Sequence, residues 1–103
     1  MAFDVRLHVD SDRATIELLG ELDASTATHF HDTIDAVVRT GVDVLLINAE
    51  QLTYMSSAGL RSLVFARQKM GERARISISG AADPVARSIR LAGFDHSIEL
   101  LEA

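Results

Sequence analysis

The amino-acid sequence predicts an α/β fold: a small mixed sheet, opened by an antiparallel hairpin and continued by parallel strands, with helices packed against it. Three observations carry this. The opening segment alternates apolar and polar residues at period two. Three later stretches repeat their apolar residues at helical spacing. Short apolar runs separate and follow those stretches. The element order is therefore β-β-α-β-α-β-α-β. Strand–helix–strand alternation implies parallel strands joined by right-handed crossovers.

Phe3, Val5, Leu7 and Val9 alternate with Asp4, Arg6, His8 and Asp10, which predicts a strand with one buried face. Ser11-Asp12 turns the chain, and Ala14, Ile16 and Leu18 continue the alternation as the second arm of a hairpin. Gly20-Glu21-Leu22-Asp23 closes that arm, with Asp23 as a candidate N-cap. A helix is expected from there to about Thr40, on an apolar face of Ala27, Phe30, Ile34, Val37 and Val38; Gly41 is its stop. The apolar run Val44 to Ile47 suits a strand covered on both faces, ending at Asn48. Asn48 to Thr53 is polar and reads as a loop. Ser57 to Met70 is expected to be an amphipathic helix that buries Leu60, Leu63, Val64, the stem of Arg67 and Met70, and Gly71 ends it. Ile76 and Ile78 mark a fourth strand, stopped by Gly80. Asp83-Pro84 signals a helix start, with Asp as N-cap and Pro at the first helical position. Val85, Ala86, Ile89 and Ala92 are expected to face inward, with Gly93 and Phe94 at the stop. Ile98, Leu100 and Leu101 form a last short strand.

Composition narrows the function classes. The chain has 103 residues, the size of a single domain (1–103) with a modest core. Hydrophobic residues make up 48%, which excludes wholesale disorder. No apolar run approaches the roughly 20 residues of a membrane-spanning helix. Met1-Ala2-Phe3-Asp4 has neither the basic region nor the apolar core of a signal peptide. There is no cysteine, hence no disulfide framework, thiolate metal site or cysteine nucleophile; a cytoplasmic location fits. The formal net charge is −5, Lys69 is the one lysine and the arginines are scattered, so nucleic acid is not expected as the main partner.

The stretch Tyr54-Met55-Ser56-Ser57-Ala58-Gly59-Leu60 stands where a buried strand gives way to a helix. A helix start offers spare N–H groups and a partial positive charge, so a phosphate on Ser57 would be tolerated there. Ser56 can cap the helix, and Ser57 on its own reads equally as a cap residue. Gly59 either lets a partner approach or relieves crowding against the sheet; packing is the simpler reading. Arg61, one turn on, would face a partner or pair with Glu50. A nucleophile elbow needs Gly-x-Ser-x-Gly; here the first glycine is replaced by Met55, so no enzyme is expected. His29 and His31 lie two apart on one helix and point to nearly opposite sides, so they make no metal pair and read as surface histidines. No cofactor is expected.

Leu19-Gly20-Glu21-Leu22-Asp23 and Leu52-Thr53-Tyr54-Met55-Ser56-Ser57-Ala58-Gly59-Leu60 resemble the two signatures of the STAS domain family, and most closely those of the free-standing bacterial anti-sigma factor antagonists. The element order and the separation of the signatures fit, as does Asp83-Pro84-Val85 before Gly93-Phe94. The resemblance implies a partner switch. The unphosphorylated antagonist binds an anti-sigma factor, often itself a serine protein kinase, and so frees a sigma factor. The kinase phosphorylates a serine of the second signature, which falls on Ser57, and a phosphatase restores it. The first signature's aspartate falls on Asp23. Glu21, Asp23, Ser56, Ser57, Ala58, Gly59 and Arg61 are thus expected to contact the partner. Ser56 stands where the family usually has Asp, and Ala58 where it often has Ser or Thr. These departures keep open a second expectation, a constitutive STAS docking subunit that is never phosphorylated. The chain lacks the helix that many members carry after the last strand. That edge is then barer, with a monomer or a weak homodimer through it expected.

Overall fold

The computed structural model describes residues 3–101; Met1 and Ala2 of the N-terminal stretch considered above lie outside them. The elements follow in the expected order: β1 (Asp4–Asp10), β2 (Arg13–Leu22), α1 (Ala27–Thr40), β3 (Val44–Met55), α2 (Ser57–Met70), β4 (Arg75–Ser79), α3 (Asp83–Leu91) and β5 (Glu99–Leu101). A short 3-10 helix, Phe94–His96, which periodicity does not reveal, leads into β5. The sheet order is β1-β2-β3-β4-β5, antiparallel between β1 and β2 and parallel thereafter. Each crossover steps one strand in the same direction. Right-handed connections therefore carry all three helices to one face.

That face holds the core. Ala14, Ile16 and Leu18 of β2, Leu45 and Ile47 of β3, and Ile76 and Ile78 of β4 form one buried cluster with Phe30, Ile34 and Val37 of α1, Leu63 and Ala66 of α2, and Val85 and Ile89 of α3. On the opposite face Val44 and Leu46 are half-buried, so β3 is covered on one side and not on both. Gly41 ends α1 in the left-handed region at φ 78°, where an L side chain would be strained.

Several boundaries differ from expectation, each for a local reason. The segment read as a loop, Asn48 to Thr53, belongs to β3. Against β2, β3 spends three residues where β2 spends two (Glu17/Asn48 to Leu19/Gln51), and two where β2 spends one (Gly20/Leu52 to Glu21/Tyr54). Two bulges thus break the period-two pattern, and Ala49, Leu52 and Met55 are buried at a spacing of three. α1 begins at Ala27 and not at Asp23, which heads a separate turn. In α2 the inward face is Gly59, Ser62, Leu63 and Ala66; Leu60, Val64 and Met70 are only partly buried. Asp83 lies inside the first turn of α3, and Ala82, which offers no side-chain bond, occupies the cap. Ala92 is exposed because α3 ends at Leu91. In β1, Leu7 and Val9 remain 39% exposed. β1 is an edge strand, and only Phe3 and Val5 at its start pack against the core.

The stem of Arg67 is part-buried as expected, and its guanidinium does more. Nη1 donates to the carbonyls of Gly71 and Ala74, at 2.9 and 2.7 Å, and Nη2 donates to that of Ser97. One side chain of α2 thus ties the α2–β4 loop to the chain entering β5.

Candidate functional site

The C-terminal end of β2 and the start of α2 are locked together by backbone. Leu22 pairs with Met55, and Ser56 N–H donates to Leu22 O at 2.9 Å. Ser56 is the N-cap of α2, in extended conformation, and its Oγ accepts from Ala58 N–H at 3.2 Å. Its carbonyl accepts from Leu60 N–H at 3.1 Å. Capping is therefore the work of Ser56, which releases Ser57 from it. Ser57 is the first helical residue, exposed, and its hydroxyl makes no hydrogen bond among the described residues. No acidic side chain occupies the first turn of α2. The spare N–H groups and the dipole there favour added negative charge.

Gly59 is a packing residue. A Cβ added there would stand 2.6 Å from Met55 Cγ and 3.1 Å from Leu22 Cδ2. The closeness of α2 to the β2–β3 ends depends on its missing side chain, and this closeness sets the position of Ser57.

The β2–α1 turn lies beside this helix start. Asp23 Oδ1 accepts from Ser25 N–H at 2.9 Å and from Ser25 Oγ at 2.6 Å. In return Asp23 N–H donates to Thr26 Oγ1 at 2.9 Å, and Thr26 Oγ1 donates to Glu21 O at 3.0 Å. The Asp-x-Ser-Thr spacing is the signature of such a turn. These bonds, the Ser25 hydroxyl foremost, hold the Asp23 carboxyl below its ordinary value of 3.8. A lowered carboxyl pKa contributes stability that is present above the ordinary value and lost as pH falls through the lowered one. In a carboxyl-carbon NMR titration Asp23 is thus expected to titrate below pH 3.8, and Ser25→Ala to move its midpoint upward.

Glu21 is exposed and pairs in register with Tyr54. Tyr54 itself is 51% exposed, at the residue after the second bulge of β3. An aromatic ring left out of the core here is a feature that no periodicity singles out; the signal is its place two residues before the cap of α2. Arg61 is exposed and makes no ion pair among the described residues; Glu50 does not meet it, but lies against Gly80. Ser57, Ser56, Tyr54, Glu21, Asp23 and Arg61 thus belong to one end of the molecule.

His31 is not a plain surface histidine. Its Nε2 lies 2.7 Å from Oγ of the fully buried Ser62, and its ring stacks on Phe65 at 4.2 Å. Ser62 Oγ donates to Ala58 O at 3.1 Å, so His31 Nε2–H is the donor to Ser62. The link fastens α1 to the first turn of α2. His29 meets Phe3 edge-on instead. No helix among the described residues is long and apolar enough to cross a membrane.

Comparison with known proteins agrees with this architecture. The family model described as "Mlab, STAS domain" matches residues 5–102. The anti-sigma-B factor antagonist of Listeria monocytogenes is 30% identical over 93 residues, covering 88% of this chain and 81% of that protein. The anti-sigma-F factor antagonist RsfB of Mycobacterium tuberculosis is 26% identical over 87 residues, covering 84% and 71% respectively. The crystal structure of an anti-sigma factor antagonist from Mycobacterium paratuberculosis superposes with a TM-score of 0.87 at 25% identity, covering 97% of this chain and 86% of that one. These relatives are named as regulators and not as enzymes. The chain belongs to the STAS domain family, among relatives that are anti-sigma factor antagonists.

Proposed function

We propose that this protein is an anti-sigma factor antagonist whose Ser57 end docks an anti-sigma factor, in the cytoplasm, and is released by phosphorylation of Ser57. The observation that carries this is the state of Ser57: exposed, without a hydrogen bond, at a helix start already capped by its neighbour. A free hydroxyl there is open to a kinase, and a phosphate there is favoured by the helix end. The anti-sigma factor is itself the serine kinase in this reading, and a phosphatase resets the switch. Glu21, Asp23, Ala58 and Arg61 surround the docking point, and Gly59, buried against Met55 and Leu22, seats the helix start beneath it. The names borne by the relatives support the reading.

Tyr54 is the anchor on this surface. Truncating a half-exposed aromatic at an interface centre costs about 2 kcal/mol or more. Tyr54→Ala is therefore expected to weaken partner binding by at least roughly tenfold with unchanged thermal stability. Equal affinity would remove Tyr54 from the interface.

A second reading is a constitutive docking subunit that is never phosphorylated. Ser56 and Ala58, which stand where the family usually has Asp and often has Ser or Thr, favour it. Affinity capture from host lysate, with wild type and Ser57→Asp side by side, decides between them. The switch requires wild type to retain an anti-sigma factor that Ser57→Asp loses, and phosphate on Ser57 by mass spectrometry. Equal retention by both proteins favours the constitutive subunit.

A further inference from the structure

We infer that β1 is a self-association edge, through which two copies of this chain pair antiparallel about a two-fold axis at His8. β1 has seven residues and bonds to β2 on one side; its other side has no partner among the described residues. The opposite edge, β5, comprises three of the described residues, Glu99–Leu101. A long unpaired edge is a template for a further strand. On the helix-covered side of β1, Leu7 and Val9 are each 39% exposed, opposite the buried Ile16 and Ala14. The edge thus offers both backbone groups and an unfinished apolar strip.

Charge selects the occupant and its register. Pairing that keeps the helices of both copies on one side must place the axis on a residue, since neighbouring residues point to opposite faces. An axis at Leu7 sets Asp4 against Asp10, carboxylate on carboxylate. An axis at Arg6 sets guanidinium against guanidinium. An axis at His8 sets Arg6 against Asp10 twice and Leu7 against Val9 twice, with His8 facing its own copy; an axis at Val5 also matches Arg6 with Asp4 but joins only three residues of β1. Asp10 makes no ion pair within its own chain among the described residues, whereas Arg6 lies 3.7 Å from Glu17 and 3.6 Å from Asp4. The strand Asp4-Val5-Arg6-Leu7-His8-Val9-Asp10 is in this sense complementary to itself. The paired segment, Arg6 to Asp10, is short. Its interface falls below the roughly 1,200 Å² of stable complexes, so the dimer is weak and forms with concentration.

Sedimentation equilibrium of the full chain, from micromolar to near-millimolar concentration, tests this without reference to any sigma factor. A reversible monomer–dimer equilibrium is expected. Arg6→Asp and Asp10→Arg should each raise its dissociation constant roughly tenfold, because each places like charges opposite one another twice. The double variant, Arg6→Asp with Asp10→Arg, should recover it, and Val9→Lys should abolish it. Circular dichroism checks that each variant is folded; positions this exposed tolerate the changes. A protein monomeric throughout, a dimer indifferent to these substitutions, or a double variant no better than the singles overturns the inference.

Discussion

Ser57→Asp is expected to weaken binding of the proposed anti-sigma partner by about two to three orders of magnitude and to leave the fold intact. The two effects separate because the charge acts in two places. Within the chain it sits at the first turn of α2, where a helix end favours an anion by about 0.3–1 kcal/mol. Thermal stability should therefore hold or rise slightly. Across the interface the same charge must be stripped of water and meets a surface fitted to a neutral hydroxyl. Exposed Glu21 nearby adds like charge. A loss of about 3–4 kcal/mol corresponds to that drop in affinity. Phosphate carries roughly −1.5 to −2 charges against −1 for Asp, so the variant understates the natural effect. Titration calorimetry against the captured partner, beside a thermal melt, reads both quantities. A partner that binds both proteins equally reduces Ser57 to an ordinary helix-start residue. No rearrangement is needed, because Ser56 keeps the cap whatever Ser57 carries.

Arg67→Ala is expected to destabilise the fold about as much as a core truncation, although the residue is charged and only part-buried. The guanidinium bonds three backbone carbonyls, of Gly71, Ala74 and Ser97, from two separate segments. No carboxylate of the described residues pairs with it, so these carbonyls are its partners. Hydrogen bonds from a charged donor contribute about 1.5–3 kcal/mol each, and the three are not additive. Some of these carbonyls regain water on truncation, which lowers the net. A loss of about 3 kcal/mol is expected, which in a domain of this size lowers the melting temperature by more than about 10 °C. Arg67→Lys should recover only part, since an ammonium lacks the planar fork that reaches carbonyls on two sides. Arg67→Met, which keeps the stem, should fall between Ala and Lys. Denaturant unfolding of the three variants checks the order. Near-wild-type stability in Arg67→Ala would mean the clamp is idle.

The two expected results draw on different levels of information. That Ser57 opens a helix is visible in the run Tyr54 to Leu60, because two small hydroxyl residues stand there at the start of a helical period. That Ser56 and not Ser57 does the capping was not visible. Two adjacent serines compete for one role, and only backbone geometry separates them. In sequence Arg67 is an amphipathic stem on a helix, and its three acceptors lie up to thirty residues away. The same holds for His31, whose partner Ser62 is thirty-one residues distant. A hydroxyl on a helix carries no mark of being buried.

Local pattern sufficed where one residue's neighbours in sequence are also its neighbours in space. The element order, the antiparallel opening and the stop at Gly41 all follow from periods of two and 3.6 and from the turn residues between them. Local pattern failed where the tertiary structure spends residues to fit two elements together. The bulges of β3 disguised the six residues Asn48 to Thr53 as a loop, and in doing so left Tyr54 exposed near the start of α2. The turn at Asp23 displaced the start of α1 by four residues to Ala27. The exposure of Leu7 and Val9 was settled by where α1 lies over the sheet, which no strand can encode in its own alternation. Burial is a property of what lands on a residue, and what lands on it comes from elsewhere in the chain.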